Sequence, residues 1–270
     1  QTPYYVHIAG LNNARAAVGH AAARAPDAKM RASFQRSETP MQQILVNGQP
    51  VAQASAETRS AFIWRTYNHV ALAILAFVGI ESWLFSSGYS QQIVAAMGGV
   101  SWLMILGAFI LVGWGATHVA HTIKSPVAQY AALAASVVAW SIIFVPMLYM
   151  ANAYGEGLIE SAAIVTLLGV GALTAVVFVT KKDFSFLRGM LMWGGILALV
   201  AIVSGIIFGF ALGTWFSVAM IGFAGAAVLY DTSNILHHYS EDQHVAAALQ
   251  LFASIAMMFW YILRLFMSRD

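Results

Sequence analysis

Seven runs of mostly apolar residues follow one another between residue 67 and the end of the chain, and they leave little choice of fold. They lie at about 67–85, 98–120, 127–150, 158–180, 187–208, 214–237 and 245–267. A run of roughly 20 such residues crosses the hydrocarbon layer as a helix, because only there are all its backbone groups satisfied within the segment. The expected fold is therefore all-α and integral to a membrane, a bundle of seven transmembrane helices whose first partner is membrane lipid. Only 9% of the 270 residues are Asp, Glu, Lys or Arg, against roughly 25% in a water-soluble domain. The formal net charge of +2 gives no reason to expect a nucleic-acid partner, and the absence of cysteine removes disulfides and thiolate chemistry.

The chain divides near Arg65. Residues 1–65 read as a polar, basic N-terminal tail, partly disordered or partner-bound, and residues 66–270 as the transmembrane domain. The tail carries seven Lys and Arg against three acids, a net +4, which places it on the cytoplasmic side. It lacks the apolar core of a secretory signal, although its Arg, Ala and Ser bias also suits the remnant of a mitochondrial presequence. Gln1 in place of Met suggests a trimmed or processed start. With the tail inside, the loops holding Lys124 and Lys181, Lys182 and Arg188 fall on the inner side. Those at 86–97, 152–157 and 209–213 carry only Glu156 and fall outside, and the C-terminus is periplasmic.

Ionisable groups at membrane depth are expensive enough to need a reason. Asp231 lies inside an apolar run, where its carboxylate either ionises against a partner, takes up a proton, or fixes packing through a hydrogen bond to a facing helix. Glu81 lies near the outer end of the first span, where it reaches the interface, snorkels or packs, and Arg264 at the outer end of the last reads as an interfacial anchor. His118, His121, His237 and His238 all map to the inner face. The first two, three residues apart on one helix face, suit a shared metal, coupled protonation or plain interfacial placement. Without carboxylate partners at ligand spacing, no metal site is assigned.

Gly205, Gly209 and Gly213 recur every four residues, either for close helix packing or because the last two form a loop. Pro146 should bend the third span. No phosphate-binding glycine loop, nucleophile elbow or hydrolytic carboxylate pair is present. The expectation is a non-enzymatic protein that needs no cofactor.

Thr180-Lys181-Lys182-Asp183-Phe184-Ser185-Phe186-Leu187, followed by a span and then Leu229-Tyr230-Asp231-Thr232, resembles the signature of the Bax inhibitor-1 family of seven-helix proteins. The similarity covers about residues 61–270. Asp231-Thr232-Ser233-Asn234-Ile235-Leu236-His237 and the terminal Ser268-Arg269-Asp270 look most like its bacterial inner-membrane, YccA-like branch. The resemblance implies a bundle whose last helix is central, wrapped by the preceding six. It also implies a modulator or substrate of an FtsH-type AAA membrane protease in the bacterial inner membrane, with a mitochondrial inner membrane as the alternative.

Family members that leak calcium in a pH-sensitive way resemble one another in a pair of aspartates that share a proton. Here the first is Asp231, and the second position is Ser254. Serine cannot share a titration as a second carboxylate would, but it can donate a hydrogen bond. Serine is what the YccA-like branch shows, although that branch tends to carry Glu at the position of Asp231. The preferred expectation is thus an interaction protein engaging FtsH-type proteolysis. The alternatives are a calcium or proton leak through Asp231, Ser254 and Glu81, and an accessory subunit of a larger membrane complex with the tail as docking arm.

Overall fold

The computed structural model describes residues 50–123 and 125–268. Residues 1–49, which make up most of the segment read as a tail, lie outside the described residues, as do Lys124 and the last two positions. A 3₁₀ turn at Val51–Gln53 leads into eight helices: α1 (Ala56–Ser86), α2 (Tyr89–Gly98), α3 (Trp102–Thr122), α4 (Pro126–Tyr154), α5 (Leu158–Thr180), α6 (Leu187–Phe208), α7 (Gly213–His237) and α8 (His244–Met267). All but α2 are long and apolar enough to cross a membrane. The shortest of these seven has 21 residues, about 30 Å at 1.5 Å per residue, which matches the hydrocarbon thickness.

Local chemistry sets several boundaries. Ser55 caps α1 by accepting the Thr58 amide at 3.2 Å, so the helix starts at Ala56, nine residues ahead of the polarity change at Arg65. Pro126, at the first turn of α4, sits where its missing N–H is not needed. Pro146 lies inside the same helix, which continues through it to Tyr154. The uncharged stretch at 86–97 is not a plain loop, since Gly88 turns left-handed and the nine residues that follow, without Gly or Pro, wind with Gly98 into α2. Gly209 and Gly213 adopt φ +71° and +70°, so they shape the α6–α7 turn rather than a face for a neighbouring helix. A Cβ on Gly205 would come within 3.1 Å of the Phe210 carbonyl oxygen in that turn.

The bundle is organised around α8, which packs against α1, α3, α4, α5 and α7. Ala246, Ala247 and Ala248 at its start are fully buried, and small side chains there let neighbouring backbones come close. α6 packs chiefly against α7 and α3, and its large side chains Trp193, Leu197 and Met192 face outward. An apolar surface of that extent is compatible with lipid as the surrounding solvent. The densest part of the core is aromatic. Phe144 of α4 is fully buried, with Phe77 (5.1 Å), Phe259 (5.4 Å) and Trp260 (5.0 Å) around its ring.

Val51 donates its amide to the Tyr239 carbonyl at 2.8 Å, and its side chain is fully buried. The chain entering from residue 50 is thereby fastened to the α7–α8 loop.

Candidate functional site

α7 and α8 are consecutive and antiparallel, so a residue shortly before their connecting loop comes to face one shortly after it. Asp231 precedes the end of α7 by six residues and Ser254 follows the start of α8 by ten, which puts both about 10–15 Å into the bundle. The Ser254 hydroxyl donates to Asp231 Oδ2 at 2.5 Å. Both are buried, at 2% and 3% exposure.

Other buried hydroxyls of the bundle behave differently. Thr66, Ser141 and Thr166 each donate to the carbonyl four residues back in their own helix, at 2.9, 3.0 and 2.7 Å, the usual way for such a group to be satisfied in an apolar environment. Ser254 instead crosses to another helix. Beside Asp231, the buried hydroxyls of Tyr67, Thr174 and Thr232 gather, Tyr67 facing both threonines. The site is thus a small polar island of one carboxylate and four hydroxyls drawn from α1, α5, α7 and α8.

Glu81 does not belong to it. It lies fourteen residues beyond Tyr67 on α1, about 21 Å along the axis. Contrary to the reading that lets it reach the interface, Glu81 is buried at 6% exposure, and neither carboxylate oxygen has a partner. The reason is register: Phe62, Thr66, Val70, Ala73, Phe77, Glu81 and Leu84 form the single buried stripe of α1, spaced by three and four.

The four histidines separate. His118 stacks on Trp114 at 5.7 Å, while His121 stacks on Tyr239 at 5.9 Å, so the pair does not converge on a common point. His237 Nδ1 sits 2.9 Å from the Ser233 carbonyl of its own helix. His238 Nε2 lies 3.0 Å from Asp183 Oδ2 in the α5–α6 loop. Asp183 also accepts the Ser185 amide at 2.8 Å, and the Phe184 amide donates to Ser233 of α7 at 2.8 Å. Slight burial works against ionisation of Asp183, but the Ser185 hydrogen bonds and the His238 ring together hold its carboxyl below the ordinary range. The segment around Asp183, quoted above only for its resemblance, is therefore a clasp joining the α5–α6 loop to the end of α7. The one local signal for it was the Asp-x-Ser spacing of an Asx turn.

Arg264 is half-buried and borders an apolar cleft of about 640 Å³ between α6 and the rest of the bundle.

Comparison with known proteins fits this architecture. The family model described as "Inhibitor of apoptosis-promoting Bax1" matches residues 59–270. "Modulator of FtsH protease YccA" of Escherichia coli is 37% identical over 100 residues, covering 36% of this chain and 45% of that protein. The chain thus spans about half the length of the bacterial relatives it matches. Longer alignments join it to "Protein LIFEGUARD 4" of Arabidopsis thaliana, 29% identical over 82% of this chain and 90% of that protein. "Bax inhibitor 1" of Schizosaccharomyces pombe is 27% identical over 90% of both chains.

Proposed function

Because this chain belongs to the Bax inhibitor-1 family of membrane proteins, we propose that it is a non-enzymatic partner of an FtsH-type protease in the bacterial inner membrane, acting as its modulator, its substrate or both. The observation that carries this reading is the 37% identity to a relative described as a modulator of FtsH. The chain's own physics supports it. Seven packed helices resist extraction, and a polar segment of about 50 residues ahead of Val51 offers a length of chain outside the bundle for a cytoplasmic ATPase pore to engage. The interior supports it as well, because the buried carboxylate Asp231 faces Ser254 and not a second acid.

The test is removal of that segment. Truncation should stop at residue 48, because Val51 is fully buried and fastened to the α7–α8 loop. Deleting residues 1–48 is expected to lengthen the protein's half-life at least severalfold in cells containing FtsH, with the melting temperature of the purified bundle unchanged. An unaltered half-life counts against the reading.

The same proposal requires the N-terminus and the α5–α6 and α7–α8 loops to face the cytoplasm. Single cysteines at Lys182 and Gln243 should then be protected in intact cells from an impermeant thiol reagent, and one at Gly155 should react. Labelling at position 182 from outside would reverse the orientation.

A second reading, a calcium or proton leak through Asp231, is favoured by one observation: that carboxylate is buried in the bundle interior among the hydroxyls of four different helices.

A further inference from the structure

At the end of the bundle that carries the α5–α6 and α7–α8 loops, a cavity of about 560 Å³ opens between α3, the start of α6 and the adjoining ends of α7 and α8. Its residues include His121, Arg188 and His238, with Tyr230, Asn234 and Gln250 on the two central helices. Every residue lining it carries a side-chain hydrogen-bond donor, and none is Asp or Glu. Such a lining, with a guanidinium and no carboxylate, suits an anion better than a cation.

Two further facts sharpen this. Asp183, the acid that contacts the lining residue His238, is already engaged: Oδ2 meets His238 at 3.0 Å, and Oδ1 accepts the Ser185 amide at 2.8 Å and the Ser233 hydroxyl at 3.4 Å. That contact is the sole ion pair among the described residues, which leaves the Arg188 guanidinium without a carboxylate. The cavity also reaches into the membrane-spanning part of the fold. Gln250 lies six residues into α8 and Tyr230 seven before the end of α7, about 10 Å from the loops. Polar side chains at that depth need one another, water or a polar ligand as partners.

We propose that this cavity binds a phosphate group, with Arg188 supplying charge and the ring N–H groups of the two histidines and the amides of Asn234 and Gln250 the neutral contacts. The planar guanidinium matches two phosphate oxygens at once. The volume exceeds that of a single tetrahedral anion, which leaves room for a headgroup or for ordered water. Basic pockets between spanning helices hold anionic headgroups in the same way. The phosphate has two sources, an anionic phospholipid or a soluble phosphate. Neither the helix-facing Asp231 nor the protease reading is needed for the assignment.

The experiment uses the full chain in nanodiscs of phosphatidylcholine, with thermal unfolding as readout and two arms. One arm adds inorganic phosphate against chloride at equal ionic strength, and the other replaces part of the lipid with phosphatidic acid. The native chain is expected to gain stability in at least one arm. Arg188→Gln should weaken the apparent affinity by roughly tenfold or more, and Arg188→Lys by less, because charge remains but the fork is lost. A response confined to phosphatidic acid assigns a lipid headgroup, and one confined to phosphate assigns a soluble ligand. If Arg188→Gln does not fold, His121→Gln is read by the same criterion. No response in either arm, or an equal response in native and variant chains, overturns the proposal.

Discussion

Replacing Phe144 with alanine is expected to lower the stability of the bundle by about 3–5 kcal/mol, among the largest losses available from one apolar truncation here. Phe144 is fully buried, and its ring meets Phe77 of α1 edge-on and Phe259 and Trp260 of α8 face-on and edge-on. One side chain of α4 thus holds three helices together. Lipid tails are as apolar as the side chains they would replace, so helices in a bilayer associate through packing more than through expulsion of water. Removing the ring deletes its dispersion contacts on every side and leaves a cavity the stiff aromatic neighbours cannot close. Unfolding in a graded denaturing-detergent titration measures the loss. Leu197→Ala on α6, at 66% exposure, is the control and should change stability by less than about 0.5 kcal/mol. Equal effects of the two substitutions would mean that Phe144 is not the keystone its contacts make it.

The parts of this fold that were legible in the sequence are those governed by one strong force. Seven apolar runs became seven long helices because an unsatisfied peptide group in hydrocarbon costs several kcal/mol. Boundaries set by weaker effects were less legible. The start of α1 at Ala56 is fixed by the Ser55 cap and by Phe62, buried at 2% exposure, while hydropathy registers only the polar residues Glu57, Arg59 and Arg65. α2 gives no spanning signal because ten residues are too few to cross a membrane, although nothing prevents them from coiling beside one. The glycine series was ambiguous by nature, since spacing alone cannot distinguish a packing face from left-handed turn positions; the φ values at Gly209 and Gly213 decide it.

Around Asp231 the same division holds. That a buried acid faces Ser254 followed from resemblance and is met by the geometry. The hydroxyls of Tyr67 and Thr174 come from other helices, and no local pattern announces them. For Glu81 the choice between interface and packing turns on which face it occupies. Its depth was read from distance to the end of the span, whereas its azimuth follows from Val70, Ala73, Phe77 and Leu84, which share its face. The histidines illustrate the limit of spacing as a guide. His118 and His121 are three apart, yet each ring is captured by a different aromatic, Trp114 and Tyr239. The clasp formed by Asp183 and His238, 55 residues apart, is long-range and invisible to periodicity.

Ser254→Asp is expected to convert a silent buried site into a pH-dependent one. The native Ser254 hydroxyl donates to Asp231 Oδ2 at 2.5 Å, so the seam between α7 and α8 is closed by a neutral donor on a carboxylate. A second carboxylate at that distance cannot ionise beside the first without strong repulsion, and the pair would hold one proton between them. Loss of that proton as pH rises would place two like charges across the seam, loosen it, and create a site attractive to a divalent cation. In liposomes loaded with a calcium dye, the native chain should show little flux at any pH. The variant should show flux that increases with pH, by up to about tenfold per pH unit while a single shared proton is being lost. Asp231→Asn in the native background keeps an acceptor for Ser254, so its effect should fall on stability, at about 1–3 kcal/mol, because a buried hydrogen bond is weakened. Strong calcium flux by the native chain, abolished by Asp231→Asn with the melting temperature unchanged, would make Asp231 a conduction residue and favour the leak over the protease partner. A flat pH profile for Ser254→Asp in a folded protein would show that closure of the seam does not depend on what faces Asp231.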